Sequence, residues 1–146
     1  MKTVPTFSRM MLAFMLGILM FTSCKKDNDT TPSPMADLAT RIAGQYTYSE
    51  LSYGGKTRPA DQTDMKGSIV VTRKTATTVN MVLDFRIKSS GEEFLVLSAD
   101  DVQVTETGGE VSFMYQGSKV GILKANKLTI NGEDDANVPF GISATK

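Results

Sequence analysis

The chain contains no histidine, no tryptophan and only one cysteine among its 146 residues. Without histidine, the Ser-His-Asp and Cys-His arrangements of nucleophilic catalysis are excluded, as are histidine-ligated zinc sites. A single cysteine cannot form a disulfide within the chain. The 16 basic and 16 acidic residues balance, and no basic stripe is present, so nothing points to nucleic acid as a partner. The catalytic options that remain are carboxylates, tyrosine and lysine.

The acidic residues cluster at residues 92–93, 100–101 and 133–135, and each cluster adjoins a predicted turn. Paired carboxylates in glycosidases must flank a substrate cleft, for which a domain of about 110 residues has little room. Residues 131–137 offer oxygen atoms to Ca²⁺ but lack the spacing of an EF-hand loop. We interpret all three clusters as solvated turns, and we expect no enzyme activity, no cofactor and no metal ligand.

The N-terminus follows the order of a secretory signal peptide. Lys2 and Arg9 precede an uninterrupted apolar run at residues 10–21, and two small residues at 22–23 precede Cys24. A basic region, a short apolar region and small residues before the cleavage site are typical of such a signal. As a helix the run would span roughly 18 Å, against a hydrocarbon core of about 30 Å. The run is therefore too short to span the membrane as a helix.

The stretch Met-Phe-Thr-Ser-Cys at residues 20–24 resembles a lipobox, in which the cysteine thiol receives a diacylglyceryl group. We predict a lipoprotein signal peptide at residues 1–23 and lipid attachment, with acyl chains such as palmitate, at Cys24. One acyl chain gives only marginal membrane binding, so stable anchoring takes two or three. Residues 24–36, which are polar and contain two prolines, are predicted to be a lipidated flexible tether.

The residues that follow Cys24 bear on localisation. Lys25 at the second position of the mature chain is typical of sorting to the outer membrane. The basic and then acidic residues 25–29 resemble tethers that bring some lipoproteins to the cell surface, although an ordinary solvated linker is an equal alternative. We therefore expect an outer-membrane lipoprotein of the cell envelope. The periplasmic side and the cell surface are the two alternatives for its location.

Apolar and polar residues alternate through most of residues 37–146. In residues 77–88, five apolar side chains share one parity: Val79, Met81, Leu83, Phe85 and Ile87. Period two over this length predicts a half-buried antiparallel strand. Similar alternation recurs between hairpin signals at Gly54-Gly55, Ser90-Gly91, Gly108-Gly109, Gly117-Ser118 and Asn131-Gly132. A short helix is predicted at residues 35–43, with Gly44 as its stop.

This pattern predicts an all-β domain: an antiparallel meander of eight or nine strands closed as a barrel, with a β-sandwich as the alternative. Apolar side chains on the wrong parity interrupt the alternation at Val70, Val82 and Met114, and residues 94–97 are apolar on both faces. Residues 94–97 are expected either to be covered on both sides or to lie at an interface, and exposed apolar side chains that form a patch are typical of an interaction site.

Residues 42–48, Ile-Ala-Gly-Gln-Tyr-Thr-Tyr, open the first strand where lipocalins carry Gly-x-Trp, with Tyr46 at the tryptophan position. A polar segment follows at residues 54–66, where lipocalins have a long loop over the barrel mouth. Together with residues 102–109, 126–130 and 140–146, these segments resemble the calycin-like domains of small bacterial lipoproteins. The resemblance covers about residues 40–146 and implies a lipocalin-like barrel and an envelope location rather than an activity.

Two functions are compatible with this sequence. The first is a non-enzymatic module that binds a small apolar or amphipathic ligand in the barrel. The interior of an eight-stranded barrel either is filled by side chains, as an ordinary core, or holds one small ligand. Its cavity would be lined by inward aromatic residues: Tyr46, Phe85, Phe113, Tyr115 and Phe140. The second is a surface or accessory lipoprotein that contacts a protein or a glycan through its outer face, with Tyr48 and Tyr53 as glycan-contacting candidates and the protein partner unknown.

Overall fold

The computed structural model describes residues 36–134 and 136–146, in which eight antiparallel strands close into a barrel and a ninth extends one edge. The strands are β1 (Gly44–Tyr53), β2 (Lys56–Pro59), β3 (Met65–Arg73), β4 (Thr78–Ile87), β5 (Glu93–Thr107), β6 (Glu110–Tyr115), β7 (Ser118–Lys124), β8 (Lys127–Glu133) and β9 (Pro139–Thr145). The predicted signal peptide, Cys24 and the tether up to residue 35 lie outside the described residues.

The barrel closes because residues 47–53 of β1 pair with β9, while residues 44–47 of β1 pair with β3. The second half of β1 pairs instead with β2, which forms the extra strand. Each remaining strand pairs with the next one along the chain. The predicted all-β barrel is confirmed, and closure through β1 and β9 selects it over the β-sandwich alternative.

The alternation predicted for residues 77–88 is observed in β4. Its inward positions Val79, Met81, Leu83 and Phe85 are buried, and Val82 on the outer face is exposed. Because one face of the strand packs on the barrel interior and the other meets solvent, the period of two follows directly.

Two predicted hairpin turns have the expected backbone geometry. Gly54 and Gly55 have φ of 54° and 77°, and Gly108 and Gly109 have φ of 60° and 80°. A two-residue turn of this type needs positive φ at both positions, which glycine adopts without strain. These turns join β1 to β2 and β5 to β6.

The turn predicted at Asn131-Gly132 is wrong, since both residues lie within β8 and pair with β9. Gly132 lies close to the Phe140 side chain: a Cβ at this position would lie 2.6 Å from the tip of the ring, which would have to shift. The chain turns later, where the Asp134 carboxylate accepts the backbone N–H groups of Ala136 (2.9 Å) and Val138 (2.8 Å).

A short helix, α1 (Leu38–Ile42), precedes the barrel inside the segment predicted to be helical. Asp37 caps it, since its carboxylate accepts a hydrogen bond from the Thr40 backbone N–H at 2.8 Å. Gly44 then begins β1. Across the described residues, 36–134 and 136–146, no helix has both the length and the apolar character needed to cross a bilayer.

Helix α1 covers one end of the barrel and is fastened on two sides. Asp37 pairs with Arg73 at the end of β3 (2.8 Å), and Arg41 pairs with Glu106 in β5 (2.5 Å). The Arg73 guanidinium holds the pKa of Asp37 well below its usual range. Ile42 is buried against the barrel interior. An open cavity of about 370 Å³, whose lining includes Arg41, Tyr46 and Glu106, lies beside α1 at this end.

Candidate functional site

The barrel end opposite α1, called the mouth below, is where the second half of β1, the end of β4 and the start of β5 converge. The polar segment predicted as a loop over the mouth at residues 54–66 does lie here. It is more ordered than predicted, because the turn at residues 54–55 folds β2 back onto β1 and a 3₁₀ turn (Ala60–Gln62) follows.

The register of the β1–β2 hairpin turns two cations toward the mouth. Lys56 lies opposite Tyr53, and Arg58 lies opposite Leu51. Directly opposite residues share one face of a sheet, and Leu51 also lies opposite the fully buried Ile142 of β9. Lys56 and Arg58 therefore stand on the inward face, with their side chains beside the mouth.

A cavity of about 400 Å³ opens at the mouth. This volume lies within the range of about 300–1,000 Å³ found for small-molecule sites. Its apolar wall is formed by Leu51, Met65, Ile87 and Phe94. Its polar rim is formed by Tyr53, Lys56, Arg58, Gln62, Thr63 and Asp64.

A packed layer lies beneath this cavity. Phe85 is the next inward residue below Ile87 on β4, and its ring meets that of Tyr48 edge to face at 5.9 Å. Gly67 makes room for Phe85, because a Cβ there would lie 2.7 Å from the Phe85 Cα. The cavity is therefore a pocket at the mouth, above a filled interior.

The rim is fastened to the turn between β4 and β5. The Lys88 ammonium donates to the carbonyl oxygens of Ala60 (2.7 Å) and Thr63 (2.9 Å). The Asp64 carboxylate accepts from the backbone N–H of Ser89 at 3.1 Å and from the Ser89 hydroxyl. The carboxylate that lines the cavity is thus already engaged by the protein.

Tyr53 ties the rim to the turn that precedes β9. Its hydroxyl donates to Asp134 Oδ2 at 2.6 Å. This bond raises the pKa of Tyr53 and holds the pKa of Asp134 below its usual range. Half of the Tyr53 side chain stays exposed, so its ring remains available to a molecule in the cavity. Tyr48, the other candidate for glycan contact, is buried, and its hydroxyl lies 3.0 Å from Thr63 Oγ1.

The five aromatic residues predicted to line a ligand cavity are spread along the barrel. Tyr46 lies at the α1 end, where its hydroxyl donates to the Ile42 carbonyl at 2.7 Å and its side chain borders the cavity of about 370 Å³. Phe113 is fully buried on β6, and Phe85 lies in the layer below the mouth. Phe140 lies opposite Tyr53 near the mouth and is half-buried. The fifth, Tyr115, lies at the tip of β6.

Tyr115 lines a smaller apolar space of about 60 Å³ with Leu97, Val120 and Ile130. This space marks a notch in the barrel wall. β5 pairs with β6 only over residues 103–107, so residues 93–102 carry no partner strand on that side among the described residues. Leu97 faces inward opposite Leu83, yet its side chain is 50% exposed through the notch.

The apolar residues of unexpected parity meet on the outer face. Val70 lies directly opposite Val82, and both are exposed. On the neighbouring strand β5, Ser98 lies opposite Val82. Val96 is the next residue of β5 on the same outer face and is 46% exposed. These exposed side chains lie on three adjacent strands of the outer face, whereas Met114 on β6 is half-buried.

The sequence interpretation missed Lys56 and Arg58, along with the apolar wall residues Leu51 and Met65. Cations are expected on outward faces, so nothing in the composition of this segment singled these two out. The signal was present in the turn: a two-residue turn at residues 54–55 forces Lys56 opposite Tyr53 and Arg58 opposite Leu51.

Fold and site together define an eight-stranded antiparallel barrel with an open, partly apolar mouth. No protein-family model and no curated protein matches this chain. One solved structure similar to it is that of a "putative outer membrane protein" from Bacteroides fragilis, with 14% sequence identity and a TM-score of 0.49. The similarity covers 76% of this chain, which spans about half (53%) of that protein's length.

Proposed function

We propose that this protein is a non-enzymatic binding module, held at the cell envelope by a lipid on Cys24, that takes a small amphipathic molecule into the barrel mouth. The observation that carries the proposal is the cavity of about 400 Å³, whose wall is apolar and whose rim is polar. An apolar wall with a few placed polar groups is the usual composition of a small-molecule site.

The arrangement suits a molecule with two unlike ends. Leu51, Met65 and Ile87 offer apolar contact inside the cavity, while Lys56 and Arg58 stand where the cavity meets solvent. The alkyl part of a ligand would gain about 0.8 kcal/mol for each CH₂ group removed from water. A polar head at the rim would remain hydrated and would contact the rim side chains.

Photolabelling of the full-length protein in membranes tests this proposal. The probe is dodecanoate with a diazirine on its alkyl chain, and labelled peptides are located by mass spectrometry. We expect labelling in residues 51–65 and 87–94 that unlabelled dodecanoate suppresses. Leu51→Trp, which fills part of the cavity, should weaken this labelling by roughly tenfold, about 1.4 kcal/mol.

Val82→Trp is the matched control, since it adds a similar ring on the outer face away from the cavity. It should label like the unmodified protein. The proposal fails if competitor does not suppress the labelling, or if Leu51→Trp and Val82→Trp label equally.

A second candidate function is the binding of a partner protein, and the notch in the barrel wall favours it. The unpaired edge at residues 93–102 exposes main-chain groups that can pair with an added strand. Phe94, Val96 and Leu97 are each about half exposed along it. Glu93 at one end of this apolar stretch already pairs with Arg86 at 3.3 Å, so Asp100 at the other end is the acidic group that a partner would meet. The complementary partner is an extended segment with an apolar centre and a basic residue beside it.

A photoreactive amino acid at Leu97 in living cells tests this second function. The expected result is a cross-link to one defined polypeptide, lost when Val96 is replaced by Lys. The same photoreactive residue at Thr105, on the exposed outer face of the paired part of β5, serves as control. Absence of a cross-link at Leu97, or equal cross-linking at Thr105, would count against the notch as a binding site.

A further inference from the structure

We infer that the mouth selects amphiphiles with an anionic head group, which Lys56 and Arg58 recognise. This inference rests on the proposed function and adds the chemical class of the ligand. It comes from the register of β2, whose two cations lie on the face turned toward the barrel interior rather than on the outward face.

The two cations are available to a ligand. Across residues 36–134 and 136–146, neither Lys56 nor Arg58 takes part in an ion pair. The acidic residue that shares the cavity, Asp64, is held by the backbone N–H and hydroxyl of Ser89. A carboxylate or phosphate at the rim would therefore meet two cations and one carboxylate that already has hydrogen-bond donors.

The charged groups near the mouth differ in how far they are engaged by the protein. The Lys88 ammonium donates to the carbonyl oxygens of Ala60 and Thr63. The Asp134 carboxylate beside the rim accepts hydrogen bonds from the Tyr53 hydroxyl and from two backbone N–H groups. Among the side chains that line the cavity, two cations therefore face one carboxylate, which favours an anion over a cation at this position.

Guanidinium and ammonium groups contribute differently to such recognition. Arg58 can donate two parallel hydrogen bonds to a carboxylate or phosphate, and Lys56 supplies a compact point charge beside it. Their separation by one residue on β2 places both side chains on one face, spaced to contact a single head group. The alkyl chain would then enter between Leu51 and Ile87.

Charged residues on an edge strand also discourage pairing with another chain. β2 pairs only with β1 among the described strands, so this role applies to Lys56 and Arg58 as well. Edge protection predicts no preference among head groups, whereas recognition of an anion does. The two roles therefore give different results in a competition experiment.

The experiment uses the full-length protein in membranes and a dodecanol that carries a diazirine as a neutral reporter. Dodecanoate, dodecyl phosphate and dodecyltrimethylammonium compete with this reporter, and suppression of labelling at residues 51–65 is measured. We expect the two anions to compete about tenfold better than the cation, the scale of two solvent-exposed charge contacts. High salt should reduce this advantage, because about 1 M salt screens charges beyond roughly 3 Å.

The variant K56Q/R58Q should retain labelling by the neutral reporter while the advantage of the anions falls to about twofold or less. The control K66Q/K124Q removes the same charge from exposed positions outside the cavity and should keep the advantage. Each competitor partitions into the membrane equally for every variant, so a difference between variants does not come from partition. The inference is overturned if K56Q/R58Q preserves the ranking of competitors. If the neutral reporter gives no labelling that can be competed, the proposed function itself fails.

Discussion

Replacing Tyr46 by Phe tests where the structure places this residue. The side chain is 2% exposed, and its hydroxyl donates to the Ile42 carbonyl at 2.7 Å. That carbonyl lies in the last turn of α1, where helix carbonyls lack partners within the helix. Loss of the donor leaves a buried acceptor unpaired, which costs about 1–2 kcal/mol. For a domain of this size, the melting temperature should fall by roughly 5–10 °C.

Tyr48→Phe is the matched control, because it removes the same atom from the same strand at the other side of the core. Its partner, the Thr63 hydroxyl, can still donate to the Ala60 carbonyl at 3.1 Å. We therefore expect a smaller cost, below about 1 kcal/mol. Urea unfolding followed by circular dichroism compares the two variants, provided that the slope of the transition is unchanged.

Tyr46→Phe should leave photolabelling at the mouth unaltered, since Tyr46 lies at the α1 end and does not line the mouth cavity. Equal stability of Tyr46→Phe and the unmodified protein would refute the role of this hydrogen bond in fastening α1. Loss of mouth labelling in a stable Tyr46→Phe protein would instead make Tyr46 a ligand contact, as the sequence led us to predict.

Three further predictions concern packing, pH and anchoring. Gly67→Ala should destabilise the barrel by about 1–3 kcal/mol in urea unfolding, because the new methyl group meets the Phe85 backbone; an unchanged midpoint would contradict that contact. Since Arg73 lowers the pKa of Asp37, their stabilisation is present above about pH 3.8 and is lost as the pH falls further. The difference in urea midpoint between the unmodified protein and Asp37→Asn should therefore be larger at pH 7 than at pH 2, and equal differences would exclude this cause. Cys24→Ser should abolish incorporation of labelled palmitate and release the protein from membranes, whereas retained incorporation would refute lipid attachment at Cys24.

Local alternation and turn chemistry account for most of the fold that the sequence predicted. In β4 each apolar residue of one parity from Val79 to Phe85 is buried, since a strand on a barrel wall has one inner and one outer face. The turn predicted at Asn131-Gly132 was wrong because this dipeptide, although typical of tight turns, lies within β8 and pairs with β9. The ring of Phe140, eight residues further on, lies where a Cβ of residue 132 would meet it.

The candidate site was harder to predict than the fold. Parity correctly assigned Tyr46, Phe85 and Phe113 to the interior, but it gives no height along the barrel axis. Which residues reach an open end depends on where neighbouring strands stop. The first ten residues of β5, 93–102, precede its pairing with β6. Only the assembled barrel shows that they have no partner strand on that side among the described residues.

The exposed edge of β5 has the same origin. Leu97 has the parity of a core residue and lies opposite a buried one, so its sequence context predicts burial. It is half exposed because the β6–β7 hairpin ends before reaching it. The points at which consecutive strands stop, which alternation within one strand does not encode, decided the outcome.

A crystal structure of the protein with dodecanoate tests the central claim most directly. We expect the alkyl chain between Leu51, Met65 and Ile87, with the carboxylate within hydrogen-bond distance of Lys56 or Arg58. Density for the probe along the β5 edge near Leu97, with the mouth left empty, would contradict the account of this barrel as a module that binds amphiphiles at its mouth.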